Sequence, residues 1–102
     1  MDAFHALAEP HRRQVVEILA HRGRLSAAEI SREFDVTPQA VSQHLKVLRE
    51  AKVLLMEKSA QRRMYTFNPK STMQIQAWAI EMARQWNSRL DRLGHALTEN
   101  TE

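Results

Sequence analysis

Cysteine is absent from the chain. That rules out disulfides, thiolate metal sites and cysteine nucleophiles, and it fits a reducing compartment. Glycine and proline are scarce, with two and three copies in 102 residues, which is little material for the corners of a loop-rich all-β fold. No apolar run approaches the ~18 residues of a bilayer span. The first thirteen residues, MDAFHALAEPHRR, are too short and too charged in their apolar part to be a signal peptide. The absences together lead us to expect a helix-rich, cytoplasmic protein with no membrane association.

The remaining composition, 43% hydrophobic and 26% charged, is that of an ordinary globular chain and not a disordered one. Its length predicts one domain, 1–102, small enough that a second subunit is a common way to complete the core. The net charge of +3 is mild but unevenly placed. Residues 37–65 carry Lys46, Arg49, Lys52, Lys58, Arg62 and Arg63 against only Glu50 and Glu57, whereas the flanking segments are close to neutral. A concentrated excess points to a polyanionic partner. A plain solvated face is the competing account.

Phe4, Leu7 and Ala8 recur at helical spacing in Met1–Ala8, and Pro10 suits the first turn of a new helix. That second helix, Pro10 to His21, carries an apolar stripe of Val15, Val16, Ile18 and Leu19, with Gly23 placed to end it in a left-handed conformation. Ser26 followed by Glu29 is a capping box, with Leu25 and Ile30 placed to close a hydrophobic staple, opening a helix to about Phe34. Thr37-Pro38 is an N-cap and first-turn pair for a further helix to about Ala51, in which Val41, Leu45 and Leu48 share one face. The opposite face shows Gln39, Ser42, Gln43, Lys46 and Arg49, with no acid until Glu50. The period then changes. Val53–Lys58 and Arg62–Phe67 read as a two-stranded hairpin across Ser59-Ala60-Gln61, a turn lacking the glycine that hairpins favour. Thr72 is the expected N-cap of a last helix to about Glu99, with Ile75, Trp78, Met82, Trp86, Leu90, Leu93 and Leu97 as its apolar positions. The fold class is mostly α with a small β-hairpin: a winged helix-turn-helix of order α-α-α-α-β-β-α.

A short helix, a turn, a second helix and a basic hairpin form the arrangement that places a recognition helix in a major groove. Gln39, Ser42 and Gln43 are able to read base edges, and glutamine suits bidentate contact with adenine. Lys46 and Arg49, further along the helix, suit phosphates, and Arg62 and Arg63 suit the flanking backbone or minor groove.

These residues carry a family resemblance. ALAEPHRRQVVEIL, LSAAEISREFDVTPQAVSQHLKVLREAKVL and RRMYTFNP, with Val41–Leu48 the most specific piece, resemble the ArsR/SmtB group of winged-helix repressors over nearly the whole chain. The tail AWAIEMARQWNSRLDRL is similar to the branch without obvious metal ligands. The resemblance implies a homodimer joined through the first and last helices. It also implies repression of a promoter that is released when an effector binds, although the sequence names no effector. The implied DNA-contacting set is Thr37, Gln39, Ala40, Ser42, Gln43, His44, Lys46, Arg49, Arg62 and Arg63, and the implied dimer set is Phe4, Leu7, Ile75, Trp78, Met82, Trp86, Leu90 and Leu93. Two positions depart from the family pattern. Lys52 stands where a glycine usually follows the recognition helix, and the wing tip lacks its usual glycine, so both put side chains where positive φ is needed.

Several residues admit two readings. His44 lies either near the DNA backbone or in a helix-packing position. Trp78, Met82 and Trp86 line either an interface or an effector pocket, and the interface is favoured because aromatics bury large areas there. The family's thiolate metal site is absent, since Ala27-Ala28-Glu29-Ile30-Ser31 holds no cysteine. Asp91, His95 and Glu99, at i, i+4 and i+8, are a weak C-terminal alternative whose spacing does not match the family's. No metal or other cofactor is therefore expected. Without a nucleophile elbow, phosphate loop or HExxH motif, no enzymatic role is expected either. The rival from another class is a protein-interaction module using the same basic face for an acidic partner.

Overall fold

The structure, a computed structural model, describes residues 2–100 and the side-chain surroundings of residues 2–94. The element order is α1 (Ala3–Ala6), α2 (Pro10–Arg22), β1 (Leu25–Ser26), α3 (Ala27–Ser31), α4 (Pro38–Glu50), β2 (Leu54–Ser59), β3 (Arg62–Phe67) and α5 (Pro69–Asn100). The chain divides into two compact units, Met1–Thr72 and Met73–Glu102. Among the described residues no helix is long and apolar enough to cross a membrane.

The first unit is organised around α4. Thr37 accepts a hydrogen bond from the Ala40 amide (3.1 Å) and Pro38 occupies the first turn, so this helix starts where its sequence says it should. Val41, Leu45 and Leu48 are all buried. Around them Val15 and Leu19 of α2, Leu25 of β1, Ile30 of α3, and Val53 and Leu54 leading into the wing complete the core. Each such aliphatic side chain contributes roughly 1.5–3 kcal/mol when removed from water.

The helix-turn-helix and wing are closed by three strands, not two. The sheet order is β1-β3-β2, all antiparallel, with Leu25 opposite Tyr65, Ser26 opposite Met64, and Leu54 through Ser59 paired to Phe67 through Arg62. The expected hairpin is present, and β1 adds an edge to it. Two residues cannot show a period, so this strand has no sequence signature of its own. Ser26 closes β1 and caps α3 in the same step: its hydroxyl accepts from the Glu29 amide and its own amide donates to the Glu29 carboxylate.

Several expected boundaries move for identifiable reasons. The first helix spans Ala3–Ala6 and not Met1–Ala8, because the residue before Pro10 is pushed out of the helical region. Glu9 instead caps α2, with an extended backbone and its carboxylate accepting from the Arg12 amide. The third helix closes at Ser31 and not near Phe34, its last amides making i−3 bonds (Glu33 to Ile30, Phe34 to Ser31). The last helix starts at Pro69 and not after Thr72. The Asn68 carboxamide oxygen accepts from the Lys70 amide and the Ser71 amide bonds the Asn68 carbonyl, so Asn68-Pro69 supplies the cap and first turn. Gly23 has positive φ (84°) but ψ of −125°, outside the left-handed helical region expected for it.

Among the described residues, Lys52 and Ala60 are the positive-φ residues other than glycine, at 63° and 56°. Lys52 sits one residue past the end cap of α4 in a Schellman arrangement: the Val53 amide bonds the Leu48 carbonyl and the Lys52 amide the Arg49 carbonyl. Asn68 then clamps the strained turn by donating from its side chain to the Lys52 carbonyl at 2.7 Å. Ala60 opens the two-residue wing turn, and the following Gln61 has negative φ, as in a type II′ turn. Left-handed backbone costs a non-glycine residue about 1–2 kcal/mol, partly offset by glycine's larger unfolded-state entropy. Lys52→Gly should therefore raise unfolding free energy by about 0.5–1 kcal/mol, whereas Gly23→Ala should lower it by more than about 1 kcal/mol. No atom within 4 Å would meet the added Cβ at Gly23, so that loss reports backbone strain alone. Urea denaturation of the two variants checks both signs.

Candidate nucleic-acid interface

The face of α4 opposite its buried stripe holds the expected reading residues. Gln39, Ser42, Gln43, Lys46 and Arg49 are exposed, as is Thr37 at the cap, while Ala40 and His44 are half-buried. Ser42, Gln43, Lys46 and Arg49 form one wall of a cleft of about 260 Å³, and Ala27, Arg63 and Tyr65 form the other. Three cations and three hydroxyl or carboxamide groups line it, and no acid does. Clefts of one sign focus the field and concentrate counter-ions. The positive excess of residues 37–65 is thus gathered, in part, into one concavity between helix and wing.

Arg62 and Arg63 are divided by the strand pleat, since successive residues point to opposite faces. Arg63 enters the cleft. Arg62 turns to the capping box, donating from Nη2 to Ser26 Oγ (3.1 Å) and to Glu29 Oε1 (3.0 Å) while keeping 60% of its side chain exposed. The Ser26 amide and hydroxyl, with Arg62 adding attraction, hold the Glu29 carboxyl below the usual carboxylate range.

His44 does not line this cleft. Its ring stacks on His11 of α2, centroids 5.4 Å apart and planes inclined by 13°, with Nδ1 3.7 Å from a Glu9 carboxylate oxygen. The other Glu9 oxygen lies 2.9 Å from His11 Nδ1. Burial lowers the His44 pKa more strongly than Glu9 raises it, with Arg12 and His11 reinforcing the fall, so the ring is neutral at pH 7. Burial pushes Glu9 up, but hydrogen bonds from His11 and the Arg12 amide, with the charge of the two rings, bring it below its ordinary value.

On α5, Trp78, Met82, Trp86, Leu90 and Leu93 are exposed and Ile75 half-buried; on α1, Phe4 is exposed and Leu7 half-buried. Met82 and Trp86 border an open groove of about 760 Å³ with Arg84, Gln85, Ser88, Arg89 and Arg92. Asp91 is exposed, and the side chains of His95, Leu97 and Glu99 lie outside the described residues.

Residues 7–57 match a family model described as a helix-turn-helix domain. The chain is 39% identical over 88 residues to the HTH-type transcriptional regulator Rv2034 of Mycobacterium tuberculosis, covering 86% of this chain and 78% of that protein. It is 24% identical over 89 residues to the transcriptional repressor SdpR of Bacillus subtilis, covering 87% and 98%. The crystal structure of an ArsR family transcriptional regulator superimposes with a TM-score of 0.74 at 27% identity, covering 83% of this chain and 87% of that one. The chain belongs to the ArsR/SmtB family of winged helix-turn-helix regulators. It is accordingly a DNA-binding transcriptional regulator, and its family is a non-enzymatic class.

Sequence reasoning about this ArsR-family regulator missed Tyr65 and Ala27 as cleft walls and Glu9 and His11 as neighbours of His44. Tyr65 was legible as an inward-facing strand position. No spacing links residues 9, 11 and 44.

The Arg62–Glu29–Ser26 contacts tie the wing to α3 and carry a pH signature. Glu29 has a depressed folded-state pKa, so its contribution is complete above its ordinary value of 4.5 and is lost as pH falls through the lower folded value. Glu29→Gln should lower the melting temperature at neutral pH, and the wild-type and variant curves should converge as pH falls below 4.5 and through the depressed folded-state value. Melting followed by circular dichroism across that range tests this; a constant gap at all pH values would count against it.

Proposed function

We propose that the protein is a cytoplasmic repressor whose residues 1–102 act as one winged helix-turn-helix unit, binding an inverted-repeat operator as a homodimer. The observation that carries this is the acid-free cleft in which Ser42 and Gln43 stand beside Lys46, Arg49 and Arg63. Groups that read base edges and groups that hold phosphates occur there side by side. In this reading the two recognition helices enter successive major grooves about 34 Å apart. Gln39, Ser42 and Gln43 supply base selectivity, with Thr37 and Ala40 close to the same strand, whereas His44 packs against His11 and stays out of the contact set. Lys46, Arg49, Arg63 and the free donors of Arg62 supply phosphate contacts.

The dimer reading rests on α5. Met82, Trp86, Leu90 and Leu93 recur every three or four residues and are 38–60% exposed. Large apolar side chains in a contiguous exposed row mark an association surface, and aromatics are enriched in such surfaces. Ile75, Trp78 and, on α1, Phe4 and Leu7 add further apolar contributions. Repression, as against activation, is supported by the family resemblance and by the similarity to a transcriptional repressor.

Fluorescence anisotropy at about 150 mM salt, titrating the protein onto duplexes recovered from a random-library selection, tests the reading directly. A sequence reader should prefer the selected duplex by at least about 10³-fold over a scrambled one. Gln43→Ala should erode that preference by about 1–3 kcal/mol at one base pair. Arg63→Ala should instead weaken binding to both duplexes and reduce the salt slope by about one. Equal, weak binding to every duplex would sink the proposal in favour of an acidic protein partner. In light scattering the wild type should have the mass of a dimer at micromolar concentration, and Trp86→Glu should shift it to the monomer.

A further inference from the structure

Glu9, His11 and His44 form a cluster that the DNA-reading cleft does not use. Glu9 caps α2 and His11 lies in its first turn, and His44 comes from the middle of α4. Their candidate ligand atoms all lie within 4.8 Å of one another. Both rings turn Nδ1 toward the same carboxylate, at 2.9 Å for His11 and 3.7 Å for His44. The three side chains are half-buried, with 30%, 43% and 19% of Glu9, His11 and His44 exposed. The cluster is therefore held in place by two helices and remains open to solvent on one side.

We propose that Glu9, His11 and His44 bind a first-row divalent transition-metal ion of the zinc class, bridging the start of α2 to the recognition helix. Two imidazoles and one carboxylate, without sulfur, are a ligand set that suits Zn²⁺, Co²⁺ and Ni²⁺ more than Ca²⁺ or Mg²⁺. Bonds of about 2.0–2.2 Å require tetrahedral ligand atoms roughly 3.4 Å apart. From their present limit of 4.8 Å the atoms must close by about 1.4 Å, a distance within the reach of side-chain rotation. Binding requires each ring to present an unprotonated Nδ1 and to carry its one proton on Nε2, and any proton released passes to solvent. Three protein ligands at a partly exposed position leave the remaining coordination to water. Neither of the two ligand patterns that the family resemblance implies, a cysteine pair in α3 or ligands along the last helix, uses these positions.

The site is tested on the free protein, so the result does not depend on DNA binding. Metal-free protein is titrated with Co²⁺, following its visible d–d absorption, and then with Zn²⁺ in competition. We expect one ion per chain, displaced by one equivalent of Zn²⁺. His11→Gln and His44→Gln should each weaken binding at least tenfold, and His21→Gln should leave it unchanged. Because these substitutions touch helix packing, nitrogen-15 spectra of the wild-type imidazoles provide a second reading. Zn²⁺ should move Nδ1 of two of the five histidines. Absence of d–d bands at millimolar Co²⁺ would overturn the proposal. So would bands that survive both His11→Gln and His44→Gln, or bands lost with His95→Gln, which would place the ion on the C-terminal helix.

Discussion

The burial of Val41, Leu45 and Leu48 is the constraint on which the rest of the structure depends. These three side chains are 0–2% exposed, and at roughly 1.5–3 kcal/mol each their burial outweighs any single cap or ion pair in the molecule. A helix turns 100° per residue, so fixing one face fixes the other. Once that stripe is inside, Gln39, Ser42, Gln43, Lys46 and Arg49 have no position but the surface. The reading face of this regulator is in that sense a by-product of core packing. A change that rotated α4 to re-aim Gln43 would also expose an aliphatic residue, so the orientation is held by the same energy that holds the fold.

The wing is positioned by a smaller set of interactions centred on Ser26. That residue ends β1, pairs with Met64 of β3, caps α3 and accepts from Arg62. The helix-turn-helix and the wing therefore share an anchoring residue, and the relative placement of α3 and β3 has little freedom. The pleat assigns the two adjacent arginines different tasks: Arg62 closes the anchor and Arg63 faces the cleft. Removing Arg62 from a surface position would usually cost little. Here its bonds involve a cap worth about 1 kcal/mol, so a loss of DNA affinity in an Arg62 variant would need to be separated from a loosened wing.

Most of the first unit was legible because its signals are local. Thr37-Pro38, the Ser26–Glu29 capping box, the three-residue stripe of α4 and the strand Arg62–Phe67 each declare themselves within a few residues. So did the strain: the missing glycines at Lys52 and somewhere in the Ser59-Ala60-Gln61 turn pointed to positive-φ side chains, which the described residues have at Lys52 and Ala60. What could not be read depends on tertiary pairing. Strand β1 exists only because Tyr65 and Met64 lie beside Leu25 and Ser26. The contact of His44 with His11 and Glu9 joins residues more than thirty positions apart with no period to reveal it. The start of α5 was misplaced by four residues because Thr72 competes as a cap with Asn68, and Asn68 wins by also clamping the Lys52 carbonyl.

The composition of the cleft bears on which polyanion it suits. An acidic protein surface offers carboxylates at irregular spacing, and cations alone would satisfy it. Lys46, Arg49 and Arg63 are enough for that, and charge–charge attraction of this kind fades within a Debye length of about 8 Å at physiological salt. Ser42 and Gln43 would then be idle, and exposed carboxamides gain little by displacing water from a carboxylate. Duplex DNA uses both kinds of group at once. Phosphates recur at fixed spacing along the groove edge, and base edges between them present donor and acceptor pairs that match a carboxamide. A cleft that combines cations with carboxamide and hydroxyl groups, and is lined by no acid, is complementary to that pattern in a way that charge alone does not require.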